Sequence, residues 1–189
     1  EEAIKIQSID AEKHQITLAR PALYGIKQGN PSPRRFRALH LLEELDQPGE
    51  FYLDGSSKRL YFWPPGGLDG ARIVLSTLNV PLVSLKEASY VTLRGFVLEV
   101  SLGEGLEISG GAGNRIEDCE IRNIRQLGIR VAEGANHCVE YCRIHDTGTG
   151  GLMLAGGDRR TLTPAGHQAV NNEIWRFSQH QLSYACGIT

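Results

Sequence analysis

The second half of the sequence repeats itself at intervals of 23 residues. Segments in which a glycine precedes alternating apolar and polar residues begin at positions 105, 128 and 151, and a shorter version begins at 187. A second series of short β-branched segments occupies residues 91–96, 116–121, 139–144 and 169–174. Repeats of about 20 to 50 residues are typical of proteins in which each unit buries its apolar face against its neighbours. The sequence therefore predicts a stacked-repeat fold.

The composition of the repeat unit favours strands over helices. Its short runs alternate apolar and polar residues and are interrupted by Gly, Asn and Asp, whereas a helical solenoid needs stretches of roughly 10 to 15 residues with helical periodicity. About 23 residues with two or three strands fit one rung, meaning one full turn, of a parallel β-helix with rungs about 4.8 Å apart. Leucine-rich repeats have a similar length, but their signature is missing. We predict an all-β fold, a parallel β-helix solenoid.

Residues one rung apart are predicted to stack into ladders. The expected inward ladders are Ile116 with Val139, Cys119 with Cys142 and Asn172, and Ile121 with Ile144 and Ile174. The expected outward ladders are Glu120, Arg143 and Glu173, and Glu107, Arg130 and Met153. Alternating charge between rungs gives favourable lateral pairs, so these residues are expected to form a solvated structural face. Stacked free thiols are favoured over a disulfide between Cys119 and Cys142, and Asn172 is expected to bond to turn backbone.

Residues 1–70 lack this period and are predicted to form a small β-rich cap, with residues 71–189 as the β-helix. The cap contains a predicted hairpin with its turn at residues 54–57, two further strands within residues 4–19 and a short helix before Pro48. Its aromatic residues are expected to form a core rather than a sugar platform: Tyr52, Tyr61, Phe62 and Trp63. The sequence ends inside a predicted strand, so we expect the β-helix to be truncated at its C-terminal end.

Composition argues against several classes of partner. A formal net charge of −2 and a pI near 6.3, without a basic stripe, argue against nucleic acid. No apolar run approaches the roughly 18 to 20 residues that span a bilayer, so membrane insertion is not expected. The four cysteines lack zinc-site spacing, and neither a metal nor another cofactor is expected. We expect a monomer.

Several motifs follow the order found in right-handed parallel β-helix proteins of polysaccharide-degrading bacteria, which the chain resembles over nearly its whole length. They are "PGEFYLD", "LYFWPP", "VTLRGF", "IEDCEIRN", "GGDRRTLTPAG" and "VNNEI". The resemblance implies a right-handed coil, in line with the general rule for parallel connections. It also implies a secreted or periplasmic carbohydrate-active protein, in a group that includes glycoside hydrolases with α-fucosidase and xylanase activities. In such enzymes the acidic catalytic pair lies on rungs further along than residue 189.

One long insertion, residues 156–168, lengthens a predicted rung from 23 to 30 residues. A long polar loop on a regular scaffold often has a functional role, and Arg159, Arg160 and His167 are its candidate substrate-binding residues. A surface loop held by an Arg–Asp pair is an equally weighted alternative. Tyr184 is a further candidate.

Three residue pairs are predicted to meet at one strand-to-turn corner on successive rungs. These candidate substrate-binding and catalytic residues are Arg122 with Asn123, His145 with Asp146, and Trp175 with Arg176. An indole stacks on the apolar face of a sugar, and charged groups bond its hydroxyls or carboxylate. The corner is therefore a candidate sugar-binding site.

Asp146 and Asp158 are the candidate catalytic carboxylates, with His145 as a candidate acid or base. Hydrolysis of a glycosidic bond needs two carboxyl groups about 5 to 9.5 Å apart, and this is the one close pair that the sequence offers. Asp146 also precedes Thr147 and Gly148, which is typical of a plain turn residue.

The predicted function is the N-terminal part of a glycoside hydrolase acting on a complex polysaccharide, with a polysaccharide or oligosaccharide as its partner. A polysaccharide lyase is an alternative, because its basic residue is available among Arg159, Arg160, His167, His180 and Tyr184. No acidic calcium constellation supports it. A non-catalytic carbohydrate-binding or adhesive module is the third possibility.

Overall fold

The computed structural model describes residues 3–23, 25–26 and 36–189, and the chain divides into two compact units, Glu2–Ile73 and Val74–Thr189. The first unit contains two antiparallel hairpins, at the places that the sequence predicts. β1 (Ile6–Asp10) pairs with β2 (Gln15–Leu18), and β3 (Phe51–Asp54) pairs with β4 (Arg59–Phe62). In the second hairpin the Asp54 carboxylate accepts a hydrogen bond from the Ser56 backbone N–H at 2.9 Å, which closes the turn.

Two local features of the first unit differ from expectation. The helix expected before Pro48 is a single 3₁₀ turn, Leu42–Glu44, and none of its residues is buried. A helix this short has no apolar face to pack, so its nucleation cost is not offset. The aromatic residues expected as a core are only partly buried, because Tyr61 is 37% and Trp63 is 45% exposed.

The second unit contains twelve strands in four successive rungs. In chain order they are β5 (Val83–Lys86), β6 (Thr92–Arg94), β7 (Val97–Ser101), β8 (Leu106–Ser109), β9 (Arg115–Glu117), β10 (Glu120–Ile124), β11 (Ile129–Ala132), β12 (Cys138–Glu140), β13 (Arg143–Thr147), β14 (Leu152–Ala155), β15 (Gln168–Val170) and β16 (Glu173–Trp175). Each strand pairs in parallel with the strand one rung away. The predicted all-β parallel solenoid is confirmed.

The strands form three four-stranded parallel sheets that enclose one core. Sheet 1 has the order β16-β13-β10-β7, sheet 2 has β14-β11-β8-β5, and sheet 3 has β15-β12-β9-β6. The predicted inward ladders are present, since Ile116 pairs with Val139, and Ile144 lies between Ile121 and Ile174. Ile116, Ile121, Val139 and Ile144 are fully buried. Stacking of like residues therefore produces a continuous apolar core.

The polar and sulfur-containing inward residues also occupy the predicted rungs. Cys119 and Cys142 are buried free thiols, and the Cys142 Sγ lies 3.3 Å from the Glu140 carbonyl oxygen. The neighbouring Cys119 and burial both raise the pKa of the Cys142 thiol. On the next rung the Asn172 side chain accepts from the Cys142 backbone N–H at 2.9 Å and donates to the Val139 carbonyl at 2.8 Å. The predicted amide-to-backbone bonding is confirmed.

The outward ladders have the predicted register. Glu120 is paired with Arg143, and their side chains form an ion pair at 2.6 Å. Arg130 lies between Glu107 and Met153, with 3.7 Å between the Arg130 and Glu107 charged groups. These cross-strand pairs stabilise the outer surface modestly.

The glycine that begins each sheet 2 segment is required by close packing between rungs. A Cβ added at Gly105 would lie 2.5 Å from the Gly128 carbonyl oxygen, and one added at Gly128 would lie 2.7 Å from that of Gly151. The ladder continues to Gly187, whose carbonyl accepts from the Leu152 backbone N–H at 2.8 Å. The predicted fourth member of the glycine series is therefore present.

A buried polar ladder, which the sequence analysis did not identify, lies at the start of sheet 3. The Asn114 side chain accepts from the Val91 backbone N–H at 3.0 Å, 23 residues earlier. The His137 Nδ1 accepts from the Asn114 N–H at 3.1 Å, and the His167 Nδ1 accepts from the His137 N–H at 3.2 Å. The two imidazole rings stack with centroids 5.0 Å apart. Side chains on successive rungs thus satisfy backbone donors that the strands leave unpaired.

We expect the His137 imidazole to make the stability of the β-helix unit depend on pH. Its Nδ1 accepts a hydrogen bond and its Nε2 donates to the Gly110 carbonyl at 3.2 Å, so the folded state holds the neutral ring. Burial, followed by the neighbouring His167, lowers the pKa of His137 below its ordinary value of 6.5. Because the unfolded chain then binds more protons, the free energy of unfolding should fall as the pH drops below about 6.5.

Urea denaturation at pH 7.5 and pH 5 measures this loss, and the variant His137→Asn is its control. Asparagine already fills the equivalent position at Asn114 and does not titrate, so the variant should lose much of the difference between the two pH values. An equal difference in the two proteins would show that another group titrates.

The insertion after β14 leaves the register of the next rung unchanged. Cys138 pairs with Gln168 across β12 and β15, although 30 residues separate them. Within the insertion, Asp158 and Thr163 form an antiparallel bridge with backbone hydrogen bonds of 2.9 and 3.0 Å. The extra residues therefore project from the corner between sheets 2 and 3. In the part of the chain that the structure describes, no helix has the length and apolarity that crossing a membrane would require.

Candidate functional site

The outer surface of sheet 1 contains most of the site residues predicted from the sequence. Arg122 pairs with His145 and His145 with Trp175, so one outward position is repeated on three rungs, with Glu99 on the rung before. We define the sheet 1 face by its polar and aromatic side chains: Glu99, Glu120, Arg122, Arg143, His145, Asp146, Glu173, Trp175 and Arg176.

A turn conformation places the corner residues of this face. Asn123, Asp146 and Arg176 follow the outward position on successive rungs and have positive φ angles of 54°, 53° and 46°. Among residues with a side chain, Asn and Asp tolerate left-handed backbone well, and this conformation ends the outward-inward alternation of the strand. As a result, the side chain of the corner residue lies beside that of the preceding outward residue.

Two rings stack along the solenoid axis at the β16 edge of the face. The His145 and Trp175 rings have centroids 4.2 Å apart and an angle of 16° between their planes. His145 is buried beneath the indole, whereas Trp175 is partly exposed. Within the described part of the chain, the Trp175 indole N–H donates to no acceptor, so this donor is open to a ligand.

Each nitrogen of the His145 ring faces a carboxylate. Nδ1 lies 2.7 Å from Asp146 Oδ2, and Nε2 lies 3.4 Å from Glu120 Oε1. The shorter contact favours a proton on Nδ1, donated to Asp146. The ring is therefore fixed from both sides and from above by Trp175.

Arg176 neutralises Asp146 through a two-pronged contact. Nε donates to Oδ1 and Nη2 donates to Oδ2 of Asp146, both at 2.6 Å. The Arg176 hydrogen bonds, together with that from His145, lower the pKa of Asp146 to about 2 despite the opposing effect of burial. Asp146 is consequently ionised near neutral pH and holds no proton that it could donate to a leaving group.

A second ion-pair cluster centres on Arg122. Its guanidinium group donates to Glu99 at 2.9 Å and to Glu120 at 2.7 Å. Burial alone would raise the pKa of Glu120, but Arg143 and Arg122 outweigh it, and the pKa lies below its ordinary value. Glu120 thus links Arg122, Arg143 and His145 into one network.

The remaining predicted site residues lie elsewhere or have other contacts. Arg159 and Arg160 are exposed in the insertion, where Asp158 accepts from the Arg160 backbone N–H at 2.8 Å. His167 is part of the buried polar ladder, and Tyr184 is 97% exposed. Asn123 is exposed at its corner. The fold therefore brings Arg122, His145, Asp146, Trp175 and Arg176 together on one surface.

Asp146 and Asp158 lie at different corners of the rung. Asp146 is at the corner between sheets 1 and 2, Asp158 is beyond the end of sheet 2, and the four residues of β14 lie between them. At about 3.3 Å per residue, this strand alone spans about 13 Å. A catalytic carboxyl pair needs about 5 to 9.5 Å. Their use as a pair stays a prediction, with this separation against it.

Sequence reasoning did not assign four members of the face to the site: Glu99, and the outward-ladder residues Glu120, Arg143 and Glu173. Glu99 is 23 residues before Arg122, and Glu120 is two residues before it on the same side of the strand. Both spacings could be read from the sequence. The rung length of 23 residues places Glu99 beside Arg122 on the neighbouring rung, and the two-residue period of a strand places Glu120 on the same side as Arg122.

A second polar surface lies on sheet 3. An open groove of about 350 Å³ is lined by Arg94, Arg115, Glu117, Asp118, Glu140 and Tyr141. Arg94 pairs with Asp118 at 2.8 Å, and Arg115 pairs with both glutamates. Tyr141 is the one aromatic residue among these six, so the groove itself has no stacked ring pair. No group of three or more His, Cys, Asp or Glu residues within the described ranges is arranged to hold a metal ion.

Comparison with known proteins gives one match. A family model described as a right-handed β-helix region matches residues 80–183, which is more than half of the chain. No curated protein and no solved structure matches. The match agrees with the parallel solenoid and assigns its handedness.

Proposed function

The chain belongs to the right-handed β-helix family, and from the geometry of the sheet 1 face we propose that it is a carbohydrate-active protein that binds a glycan there. The proposed setting is a secreted or periplasmic glycoside hydrolase of which this chain is the N-terminal part. The proposed partner is an oligosaccharide or polysaccharide lying across the rungs.

The stacked pair of His145 and Trp175 is the observation that supports this proposal best. A partly exposed indole fixed on a buried ring is a rigid apolar surface with a polar N–H at its edge. Sugars present both an apolar C–H face and hydroxyl groups, so a rigid aromatic ring with a nearby donor is complementary to them. The ring loses little conformational freedom on binding because Trp175 is already held by His145.

The ion pairs around the rings supply the polar part of the proposed site. The Asp146–Arg176 pair and the Arg122–Glu99 pair are preorganised, and both arginine side chains are partly exposed. Such pairs hold carboxylate acceptors and guanidinium N–H donors at fixed positions. Adjacent donors and acceptors of fixed geometry suit the paired hydroxyls of a sugar ring.

The geometry favours recognition over catalysis for this face. Asp146 is ionised and both its oxygens are occupied by Arg176, so it is a poor general acid and a poor nucleophile. The proposal therefore assigns glycan binding, rather than bond cleavage, to the sheet 1 face.

The variant Trp175→Ala should weaken glycan binding by about tenfold or more, because it removes the stacking surface. Isothermal titration calorimetry against a panel of soluble oligosaccharides measures the effect, and Trp175→Phe, which keeps a stacking ring, should retain most of the affinity. Far-UV circular dichroism and the melting temperature check that each variant is folded.

The matched control is Trp63→Ala, the same change at the other tryptophan of the chain. Trp63 directly follows β4, at the end of the β3–β4 hairpin in the first unit. It should leave binding unchanged. If Trp63→Ala abolishes binding and Trp175→Ala does not, the glycan site is on the hairpin and the assignment to sheet 1 is wrong.

A further inference from the structure

We infer that the glycan recognised at the sheet 1 face is uncharged, and that uronate-containing polysaccharides are excluded from it. This inference rests on the proposed function, because it specifies the chemical class of the ligand for the same face. It follows from the way in which every arginine of the face is already paired.

The three guanidinium groups of the face each contact a carboxylate directly. Arg122 lies 2.8 Å from Glu99 and 2.7 Å from Glu120, and Arg143 lies 2.6 Å from the other oxygen of Glu120. Arg176 uses two nitrogens to contact both oxygens of Asp146 at 2.6 Å. These positive charges are neutralised before any ligand arrives.

The face as a whole has no surplus of positive charge. Four carboxylates, Glu99, Glu120, Asp146 and Glu173, oppose three guanidinium groups, Arg122, Arg143 and Arg176. If the exposed Arg125, which follows β10, is counted as well, the face has four guanidinium groups and four carboxylates. A uronate would bring a further negative charge to a surface whose own charges balance or are slightly negative.

Binding a carboxylate normally requires an unpaired cation at the contact. A guanidinium group recognises a carboxylate through two parallel N–H···O hydrogen bonds. Arg176 already forms both of these hydrogen bonds with Asp146. A uronate would have to displace the protein carboxylate, leaving that group without its partner and next to a like charge. Hydroxyl groups impose no such penalty, because they accept from the remaining N–H groups and donate to carboxylate lone pairs without adding charge.

The same argument weighs against a lyase at this face. Removal of a proton next to a uronate carboxylate requires Arg or a cation to neutralise that carboxylate. The described arginines of the face are occupied by Glu99, Glu120 and Asp146.

A titration panel tests the inference. Neutral oligosaccharides of xylose, glucose, galactose and mannose are compared with oligogalacturonate, oligoglucuronate and alginate oligomers at low and high salt. At least one neutral glycan should bind at least about tenfold more tightly than every uronate, with an affinity that changes little with salt. A uronate that binds best, with affinity falling as salt rises, overturns the inference and leaves glycan binding at this face intact. Failure of every glycan to bind overturns the proposed function as well.

The variant Glu120→Gln gives a second, independent result. It keeps the side-chain shape but removes the carboxylate that Arg143 contacts, while Arg122 keeps its contact with Glu99, so affinity for the uronates should rise about tenfold through Arg143. The control Glu173→Gln removes one charge from the same face at a residue that is in register with Arg143 but forms none of the ion pairs described above. An equal gain in both variants would mean that net charge alone sets selectivity, and no gain in Glu120→Gln would mean that the pairing of the arginines does not exclude uronates.

Discussion

The variant Gly128→Ala is expected to destabilise the β-helix unit by about 3 kcal/mol, the upper part of the range for overpacking a filled interior. A Cβ at this position would lie 2.7 Å from the Gly151 carbonyl oxygen and would also overlap the Cγ2 atom of Ile144. Neither neighbour is free to move. Gly151 accepts from the Ile129 N–H at 2.9 Å, and Ile144 is fully buried. The added methyl group can therefore be accommodated only if the distance between neighbouring rungs increases.

The control for this change is Gly67→Ala in the first unit. No atom lies within 4 Å of a Cβ added at Gly67, and its backbone is not in the left-handed region. Alanine there should be neutral or stabilising by about 0.4 to 1 kcal/mol, because it restricts the unfolded chain. Guanidinium denaturation followed by far-UV circular dichroism measures both variants. Equal stability of Gly128→Ala and the unsubstituted protein would contradict the close packing of the glycine ladder.

The fold of the second unit was predictable because a solenoid converts sequence spacing directly into contacts. Once residues 23 apart are known to stack, the partners of Ile121 and Ile144 follow by counting. The 30-residue interval from Cys138 to Gln168 was also predictable, since the insertion projects outward and leaves the strands in register. The first unit has no such period. Its hairpins were readable from turn residues, but the packing of its aromatic side chains was not.

The buried polar ladder shows the limit of reading residue types. Asn114, His137 and His167 occupy one position on successive rungs, with the same intervals of 23 and 30 residues as the apolar ladders. The interval was visible in the sequence, but the residues differ in type, and the polar insertion made His167 resemble a surface residue. Each of the three side chains has an atom that accepts a hydrogen bond from a backbone N–H on the previous rung. The need for such an acceptor can be recognised only when the turn geometry is known.

The candidate site was predictable in its register and not in its electrostatics. The alignment of Arg122, His145 and Trp175 follows from rung spacing. Which carboxylate each arginine contacts depends on side-chain rotamers, and Glu120 alone has contacts with Arg122, Arg143 and His145. This pairing decides the proposed ligand class, because the same arginines without their partners would favour an acidic glycan.

The variant Asn114→Ala is expected to cost about 4 kcal/mol of unfolding free energy, more than most single substitutions. The Asn114 side chain is fully buried, accepts from the Val91 N–H at 3.0 Å and donates to the Ala88 carbonyl at 2.7 Å. Alanine leaves both backbone groups without partners, at about 1 to 3 kcal/mol each, and also leaves a cavity.

Asn171→Gly is the matched control for this change, because Asn171 is exposed and has a φ of 52°, which glycine adopts without strain. It should change the unfolding free energy by less than about 0.5 kcal/mol, the usual limit for an exposed site. Amide hydrogen exchange at Val91 adds a local readout, since its N–H should lose protection in Asn114→Ala before the rest of the unit does. Retained protection at Val91 with an unchanged denaturation midpoint would mean that water replaces the amide, and the polar ladder would then be dispensable for stability.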